Sequence, residues 1–141
     1  GRVHCYVVHL GLFEAGRVRQ TASLIEAVNK SAGHGEPVII AGDFNDWRNT
    51  LSDRLRKELG VREVFDELNA KPRLGHLVRT LAGRPVTPTP ARTFPSALPM
   101  FQLDRIYVRG FKVESAQVLH GPMWAKLSDH SPIIANLELG S

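Results

Sequence analysis

The sequence predicts an α/β (α+β) fold in which a mixed sheet carries helices on one face. One observation is a strand–helix–strand order at the start of the chain, over residues 3–8, 14–32 and 38–41. Strands joined in this way lie parallel, with a right-handed crossover between them. The second observation is a group of three strands without long helices between them, over residues 103–108, 112–119 and 133–139. Together they predict both parallel and antiparallel pairing.

Each early element has its own local signal. The first strand is short and rich in branched apolar residues. Residues 38–41 are four consecutive apolar residues bounded by Pro37 and Gly42, which predicts a buried strand. The helix between them has apolar residues at helical spacing, at Val18, Ala22, Ile25 and Val28.

The middle of the chain is less regular. Residues 51–59 predict a short helix, and residues 61–68 favour a brief strand or turn. Residues 69–100 contain six prolines and predict a long loop. Residues 109–110 predict a turn that joins the first two of the later strands in a hairpin.

Composition bounds the class of protein. At 141 residues, with 43% apolar and 23% charged residues, the chain is one globular domain or part of one. No apolar run approaches the ~20 residues of a membrane span, and no signal peptide is visible. We therefore favour a cytoplasmic location, although the first residue, Gly1, is not a native start. Cys5 is the only cysteine, which excludes an internal disulfide.

Positive charge is concentrated in one segment. The net charge is +4, and residues 69–102 contain no Asp or Glu. Such a field favours phosphate-bearing partners, although a solvated basic loop without a partner is an equal alternative. The candidate phosphate-binding residues in this segment are Arg73, Arg79, Arg84 and Arg92.

Polar residues follow the buried strand directly. Asp43 and Asn45 are separated by one residue after Gly42, so their side chains can share a face. A carboxylate and an amide at this spacing suit a hard cation and a phosphate. An Asx-rich turn with no ligand explains the same residues.

Strand direction brings other polar residues to the same edge. His9 follows the first strand, so the parallel pairing places it near Asp43. Asp104 begins one later strand, and Asp129 and His130 precede the last, so antiparallel strands return all of them to that edge. Individually, His9 could be a structural histidine and Asp104 part of an ion pair on an edge strand. Asp129 and His130 could belong to a capping turn. Jointly they predict a divalent-metal site for phosphoryl transfer.

Several short motifs, in this order, resemble one known superfamily: Val7-Val8-His9-Leu10, Gly42-Asp43-Phe44-Asn45, Thr93-Phe94-Pro95-Ser96, Leu103-Asp104-Arg105-Ile106-Tyr107-Val108 and Ser128-Asp129-His130-Ser131-Pro132. The chain resembles the endonuclease/exonuclease/phosphatase superfamily, which has the DNase I-like fold. Its pattern is most similar to that of bacterial members of uncharacterised substrate. The resemblance implies a four-layer αββα sandwich. It also implies that residues 1–141 are the C-terminal portion of a single domain, because the family's N-terminal Asn and metal-binding Glu have no counterpart here.

The resemblance implies a role for each site residue. His130 would activate the attacking water or stabilise the phosphorane, and Asp104 would orient its imidazole. Asp129 and Asp43 would bind Mg²⁺, with Mn²⁺ as the alternative, and Asp43 would also position water. Asn45 would hold a phosphate oxygen. The remaining residue, His9, would act on the phosphate or the leaving group.

The implied activity is hydrolysis of a phosphodiester, in a nucleic acid or a phospholipid head group, by in-line attack of water. A non-catalytic phosphate- or nucleic-acid-binding module on the same fold is the alternative. One sheet face would lack the cover that the N-terminal half supplies in the family. We therefore expect a two-fold homodimer through this face, or pairing with material outside the chain. Its apolar residues include Val7, Ile39, Ile106, Val118 and Ile134.

Overall fold

The computed structural model describes residues 1–70, 91–98 and 100–140. Within these residues the chain forms six strands and four helices. In chain order they are β1 (His4–His9), α1 (Glu14–Ser31), β2 (Val38–Asp43), α2 (Ser52–Leu59), β3 (Arg62–Glu63), α3 (Val64–Ala70), β4 (Asp104–Arg109), β5 (Phe111–Val118), α4 (Pro122–Leu127) and β6 (Ile133–Leu139). None of the described helices is long and apolar enough to cross a bilayer.

The first four strands in the chain form one mixed sheet in the order β1-β2-β4-β3. β1 and β2 are parallel and joined through α1, as the sequence predicts. β4 returns antiparallel to β2, and β3 pairs antiparallel with the other edge of β4. The predicted α/β class with a mixed sheet is therefore confirmed.

The predicted hairpin between the first two later strands is wrong. Both edges of β4 are occupied, by β2 and β3, so β5 has no free edge of β4 to pair with. The chain turns away at Gly110, with φ +77°, and a Cβ there would lie 3.1 Å from the Pro37 Cα. β5 instead pairs with β6 in a separate two-stranded sheet. The described residues thus contribute to two sheets, where the sequence predicted one.

Two apolar clusters hold the sheets and helices together. The first lies between the four-stranded sheet and helices α1 and α2. It includes Ile25, Val28, Val38, Ile40, Leu55, Leu59 and Tyr107. The second lies on the opposite face of that sheet, where α3 and the two-stranded sheet cover it. It includes Val64, Leu68, Val108, Phe111 and Val113.

The brief strand predicted within residues 61–68 is confined to β3, and helix α3, which the sequence did not predict, follows it directly. Its start is fixed by the buried Glu63, whose Oε2 accepts the backbone N–H groups of Phe65 and Asp66 at 2.8 and 2.9 Å. A side chain that satisfies these orphan amides stabilises a helix start. Burial raises the pKa of Glu63 to about 7, and the charge of Asp66 adds to the rise. The two amides and Arg105 oppose it.

The predicted uncovered face is smaller than the sequence suggested. Ile39 and Ile106 are partly buried against the second cluster. Val7, on the edge strand β1, remains 89% exposed, and Ile134 on β6 is 44% exposed. The uncovered apolar surface therefore lies next to β1, on the face of the four-stranded sheet that carries the second cluster. We call this the inner face.

Candidate active site

Three predicted site residues form a row across three strands, which we call the polar row. His9 of β1 pairs with Asp43 of β2, and Asp43 pairs with Asp104 of β4. Residues at one register position point to the same face of a sheet. The sheet itself therefore brings these side chains together at one edge, as strand direction predicted.

The row depends on a close approach of two backbones immediately before it. Gly42 has φ +144°, and a Cβ at this position would lie 1.9 Å from the Val8 carbonyl oxygen. Only glycine avoids both the collision and the strained conformation. Gly42 thus allows β1 and β2 to pair up to His9 and Asp43.

Asp104 and His130 form a hydrogen-bonded pair. His130 Nδ1–H donates to Asp104 Oδ2 at 2.6 Å, which confirms the predicted contact. A carboxylate on Nδ1 fixes the tautomer in which Nε2 is free to accept a proton. Nε2 lies 3.8 Å from Asp43 Oδ2, so the imidazole stands between two carboxylates.

The electrostatics of this pair follow from its surroundings. Partial burial lowers the pKa of His130. The hydrogen bond that His130 donates to Asp104 and the charges of Asp104, Asp43 and Asp129 outweigh burial, so the net pKa is raised above its usual value. The raised pKa means that the site stabilises the imidazolium form.

Thr93 is a site residue to which the sequence assigned no role. Its Oγ1 donates to Asp104 Oδ2 at 2.6 Å, and it accepts the Asp104 backbone N–H at 3.3 Å. The residue is fully buried. The motif Thr93-Phe94-Pro95-Ser96 marked this segment in the sequence. The hydrogen bond from Thr93 to Asp104 forms only because the fold places the segment beside β4.

The same segment holds the loop that carries His130. Ser131 N–H donates to the Thr93 carbonyl oxygen at 2.8 Å, and Ser96 N–H donates to the Asp129 carbonyl oxygen at 2.8 Å. The Ser96 hydroxyl also donates to the Ser128 carbonyl oxygen. The loop that precedes β6 is therefore anchored on both sides of His130.

Asp43 and Asn45 are also tied to each other. Asn45 N–H donates to Asp43 Oδ1 at 2.8 Å, and Asn45 Nδ2–H donates to the Leu10 carbonyl oxygen at 2.6 Å. These bonds leave Asp43 Oδ2 facing the two histidines, 3.7 Å from His9 Nε2. The His9 side chain is 79% exposed, so it stands at the mouth of the site.

The loop after β2 is anchored by Asp46. Its carboxylate accepts the backbone N–H groups of Thr50 and Leu51, each at 2.9 Å, and the Thr50 hydroxyl at 3.0 Å. Asp46 is 1% exposed, so this network is interior. It fixes the loop that presents Asn45 and Trp47 at the entrance to helix α2.

These side chains line one cleft of about 500 Å³. It contains every predicted catalytic and metal-binding residue, namely His9, Asp43, Asn45, Asp104, Asp129 and His130. The rest of its lining includes Leu12, Trp47, Phe94 and Leu103. The cleft thus has a carboxylate-rich floor and an apolar wall.

The donor groups of the cleft fit a hard cation. Asp43, Asp104 and His130 each offer a ligand atom within 4.8 Å of the others. Asp129, predicted as a ligand together with Asp43, is outside this group but lines the same cleft. Mg²⁺ uses few protein carboxylates and completes its shell with water and phosphate oxygens. The carboxylates present therefore fit Mg²⁺.

The predicted phosphate-binding arginines have separate outcomes. Arg92 is exposed and lines a neighbouring pocket of about 540 Å³ with Ser96 and His120, beside the cleft rather than in it. The other three, Arg73, Arg79 and Arg84, lie outside the described residues.

Comparison with known proteins identifies the class. The profile of the Endonuclease/Exonuclease/phosphatase family matches residues 3–130. The chain therefore belongs to this family. The uncharacterised protein YbhP of Escherichia coli K12 is 39% identical over 137 residues, which are 97% of this chain and 47% of YbhP. The chain thus spans about half the length of the relatives that it matches.

Solved structures have a similar fold, which confirms the predicted DNase I-like class. A humanised TDP2 of D. rerio has a TM-score of 0.67 at 17% identity, with 96% of this chain and 55% of that chain covered. A mannosyl-6-phosphatase of Bacteroides thetaiotaomicron has a TM-score of 0.65 at 19% identity, covering 96% and 51%. The human Nocturnin catalytic domain with bound sulfate has a TM-score of 0.63 at 22% identity, covering 94% and 46%.

Proposed function

We propose that the protein containing this chain is a metal-dependent phosphoesterase that hydrolyses a phosphodiester by in-line attack of water. The observation that carries this proposal is the hydrogen-bonded series from Thr93 through Asp104 to His130, with Asp43 facing the free imidazole nitrogen. A histidine oriented by a carboxylate is a general base or acid.

Five side chains of the cleft have separate roles in the proposed reaction. His130 Nε2 accepts a proton from the attacking water, and Asp104 keeps Nδ1 protonated and stabilises the imidazolium that results. Asp43 Oδ2 orients the water, since it lies within 4 Å of both histidines. His9, exposed at the mouth, contacts the phosphate or the leaving oxygen, and Asn45 contacts a phosphate oxygen.

Mg²⁺ or Mn²⁺, bound by Asp43 and Asp129, would neutralise phosphate charge and orient the ester. The names of the structural neighbours include a single-stranded DNA product for TDP2 and a sugar phosphate for the Bacteroides enzyme. These proteins share phosphoester chemistry and differ in substrate, which supports the reaction class proposed here.

We assign the activity to the full-length protein. Residues 1–141 supply the histidines and aspartates of the cleft, and we propose that they are the C-terminal portion of one catalytic domain. The coverage of about half of each relative supports this division. The isolated chain is expected to bind Mg²⁺ weakly and to turn over little substrate.

The experiment is hydrolysis of bis-p-nitrophenyl phosphate by the full-length protein, with Mg²⁺ and with EDTA. His130→Ala should lower turnover by about three orders of magnitude, with little loss of stability. His34→Ala, at an exposed histidine outside the cleft, is the matched control. Phosphate-ester binding without Mg²⁺-dependent hydrolysis would favour the non-catalytic binding module.

A further inference from the structure

An apolar surface adjoins the mouth of the cleft. Three loops contribute large side chains that are exposed to solvent: the loop after β1, the loop after β2 and the segment before β4. We call this surface the apolar rim, and it consists of Leu12, Phe13, Trp47, Leu98, Met100 and Phe101. Phe13 is 82% exposed, Leu98 69% and Leu12 65%. Such exposure around a site marks an interaction surface.

The apolar rim is continuous with the cleft. The rings of Trp47 and Phe101 are 4.7 Å apart, and those of Trp47 and Phe94 are 6.0 Å apart. Phe94 lies against the His130 imidazole, with ring centroids 4.9 Å apart. Leu12 and Trp47 also line the cleft. An apolar path therefore leads from the imidazole to the outer rim.

The charge of the cleft and of the loops around it distinguishes a nucleic acid from a lipid bilayer as the partner. The described residues that line the cleft include no Lys or Arg. A groove that follows a nucleic acid strand carries such residues along its length. In the described parts of the three loops, the exposed charged side chains are Arg48 and Arg92, because Asp46 is buried. The loops that carry the rim are therefore apolar and positively charged, whereas the nearest acidic groups are those of the cleft, with the exposed Asp129, and Glu14 at the start of α1.

We propose that the apolar rim docks on an anionic lipid bilayer and that the substrate is a phospholipid-like phosphodiester whose alcohol carries apolar chains. Aromatic side chains favour the bilayer interface, aliphatic ones insert below it, and nearby arginines attract anionic head groups. Leu98 and Met100 insert, and Trp47 and Phe101 lie at the interface. This inference rests on the proposed function for the reaction: water breaks one P–O bond, supplies the new one and protonates the leaving alcohol.

The first test is binding of the full-length protein to phosphatidylcholine vesicles with and without phosphatidylglycerol, by cosedimentation. The double variant Leu98→Ser/Met100→Ser should bind the phosphatidylglycerol vesicles about tenfold more weakly. Leu139→Ser is the matched control. Leu139 is 54% exposed, but it pairs with Phe111 beside Gly110, at the opposite end of the sheet from the cleft.

The second test compares hydrolysis of phosphatidylglycerol in vesicles with hydrolysis of bis-p-nitrophenyl phosphate. The double variant should lose about tenfold more activity on the lipid than on the soluble ester. Absence of vesicle binding, equal losses on both substrates, or a preference for single-stranded DNA would overturn the lipid surface and leave the phosphoesterase intact. Vesicle binding that depends on Leu98 and Met100, without hydrolysis of any ester, would support the surface and overturn the proposed reaction.

Discussion

Thr93 and His130 donate hydrogen bonds to the same oxygen of Asp104, each at 2.6 Å. Two donors on one oxygen restrict the carboxylate from both sides and hold it against the imidazole. Because Thr93 also accepts the Asp104 backbone N–H, side chain and main chain of Asp104 are fixed by one residue.

We predict that Thr93→Val lowers turnover of the full-length protein by about tenfold to a hundredfold, the usual effect of losing an orienting partner. Thr93→Ser keeps the hydroxyl and should retain most of the activity, and KM should change little in either. Thr21→Val is the matched control, because Thr21 is also fully buried but its hydroxyl finds no hydrogen-bond partner among the described residues. Wild-type turnover in Thr93→Val would refute this role.

Glu63 gives the fold a pH dependence with a defined sign. Its pKa rises from 4.5 to about 7 on folding. Its contribution to stability is therefore complete below pH 4.5 and is lost as the pH rises through about 7. The loss amounts to about 3 kcal/mol of unfolding free energy.

Glu63→Gln should remove most of this loss, as measured by urea unfolding of wild type and variant at pH 5 and pH 8. Glu58→Gln is the control, because Glu58 is exposed on α2. If the free energy of unfolding of Glu63→Gln differs between pH 5 and pH 8 by as much as that of wild type, Glu63 is ionised at both pH values.

The metal assignment can be tested by calorimetric titration of the full-length protein with Mg²⁺. We expect Asp43→Asn and Asp129→Asn each to weaken binding by about tenfold, because each removes a charged oxygen ligand. Asp53→Asn, at an exposed aspartate of α2, should leave the affinity unchanged. An effect of Asp43→Asn without one of Asp129→Asn would restrict the metal to the group formed with Asp104 and His130.

Residues 69–102, the segment without Asp or Glu, should govern attraction to polyanions. We predict that Arg84→Glu/Arg92→Glu weakens binding to anionic vesicles or single-stranded DNA, and that binding falls as salt rises, because phosphate contacts release counterions. Arg2→Glu/Arg19→Glu, at two exposed arginines before β1 and on α1, is the charge-matched control. Affinity that depends neither on salt nor on these two arginines would remove the segment from the binding surface.

The uncovered inner face should make the isolated chain associate. Val7 is 89% exposed on this face, and leaving apolar surface in water costs about 25 cal/mol per Å². We predict a two-fold dimer by sedimentation, which Val7→Asp should dissociate. Val18→Asp, on the exposed side of α1, should not. A stable monomer with full Mg²⁺-dependent activity would contradict both the dimer and the division of the domain.

Local patterns were sufficient to predict the residues of the polar row. Apolar periodicity located β1, α1 and β2, and the parallel pairing then placed His9 beside Asp43 without further information. The direction of the later strands predicted the contact between Asp104 and His130. The prediction for His9 and Asp43 succeeded because parallel register determines which side chains meet. The bond between Asp104 and His130 joins two different sheets, so strand direction brought the two residues to one edge, and the packing of the sheets fixes their contact.

Other features depended on contacts that are distant in the chain. The hairpin prediction failed because β3, a strand of two residues, occupies the edge of β4 that β5 needed. Helix α3 was missed because a single buried carboxylate, Glu63, fixes its start. Thr93 had no visible role because its partner Asp104 is reached only after the chain returns to β4.

Asp104 begins a strand of the four-stranded sheet, whereas His130 precedes a strand of the two-stranded sheet. Their 2.6 Å bond therefore crosses from one layer of the fold to the other. A displacement of the layers by about 1 Å along this bond would stretch it to about 3.6 Å, beyond hydrogen-bond length. The hydrogen bond between Asp104 and His130 therefore depends on the alignment of the two layers. Contacts that hold the layers in place also keep His130 oriented as the proposed base.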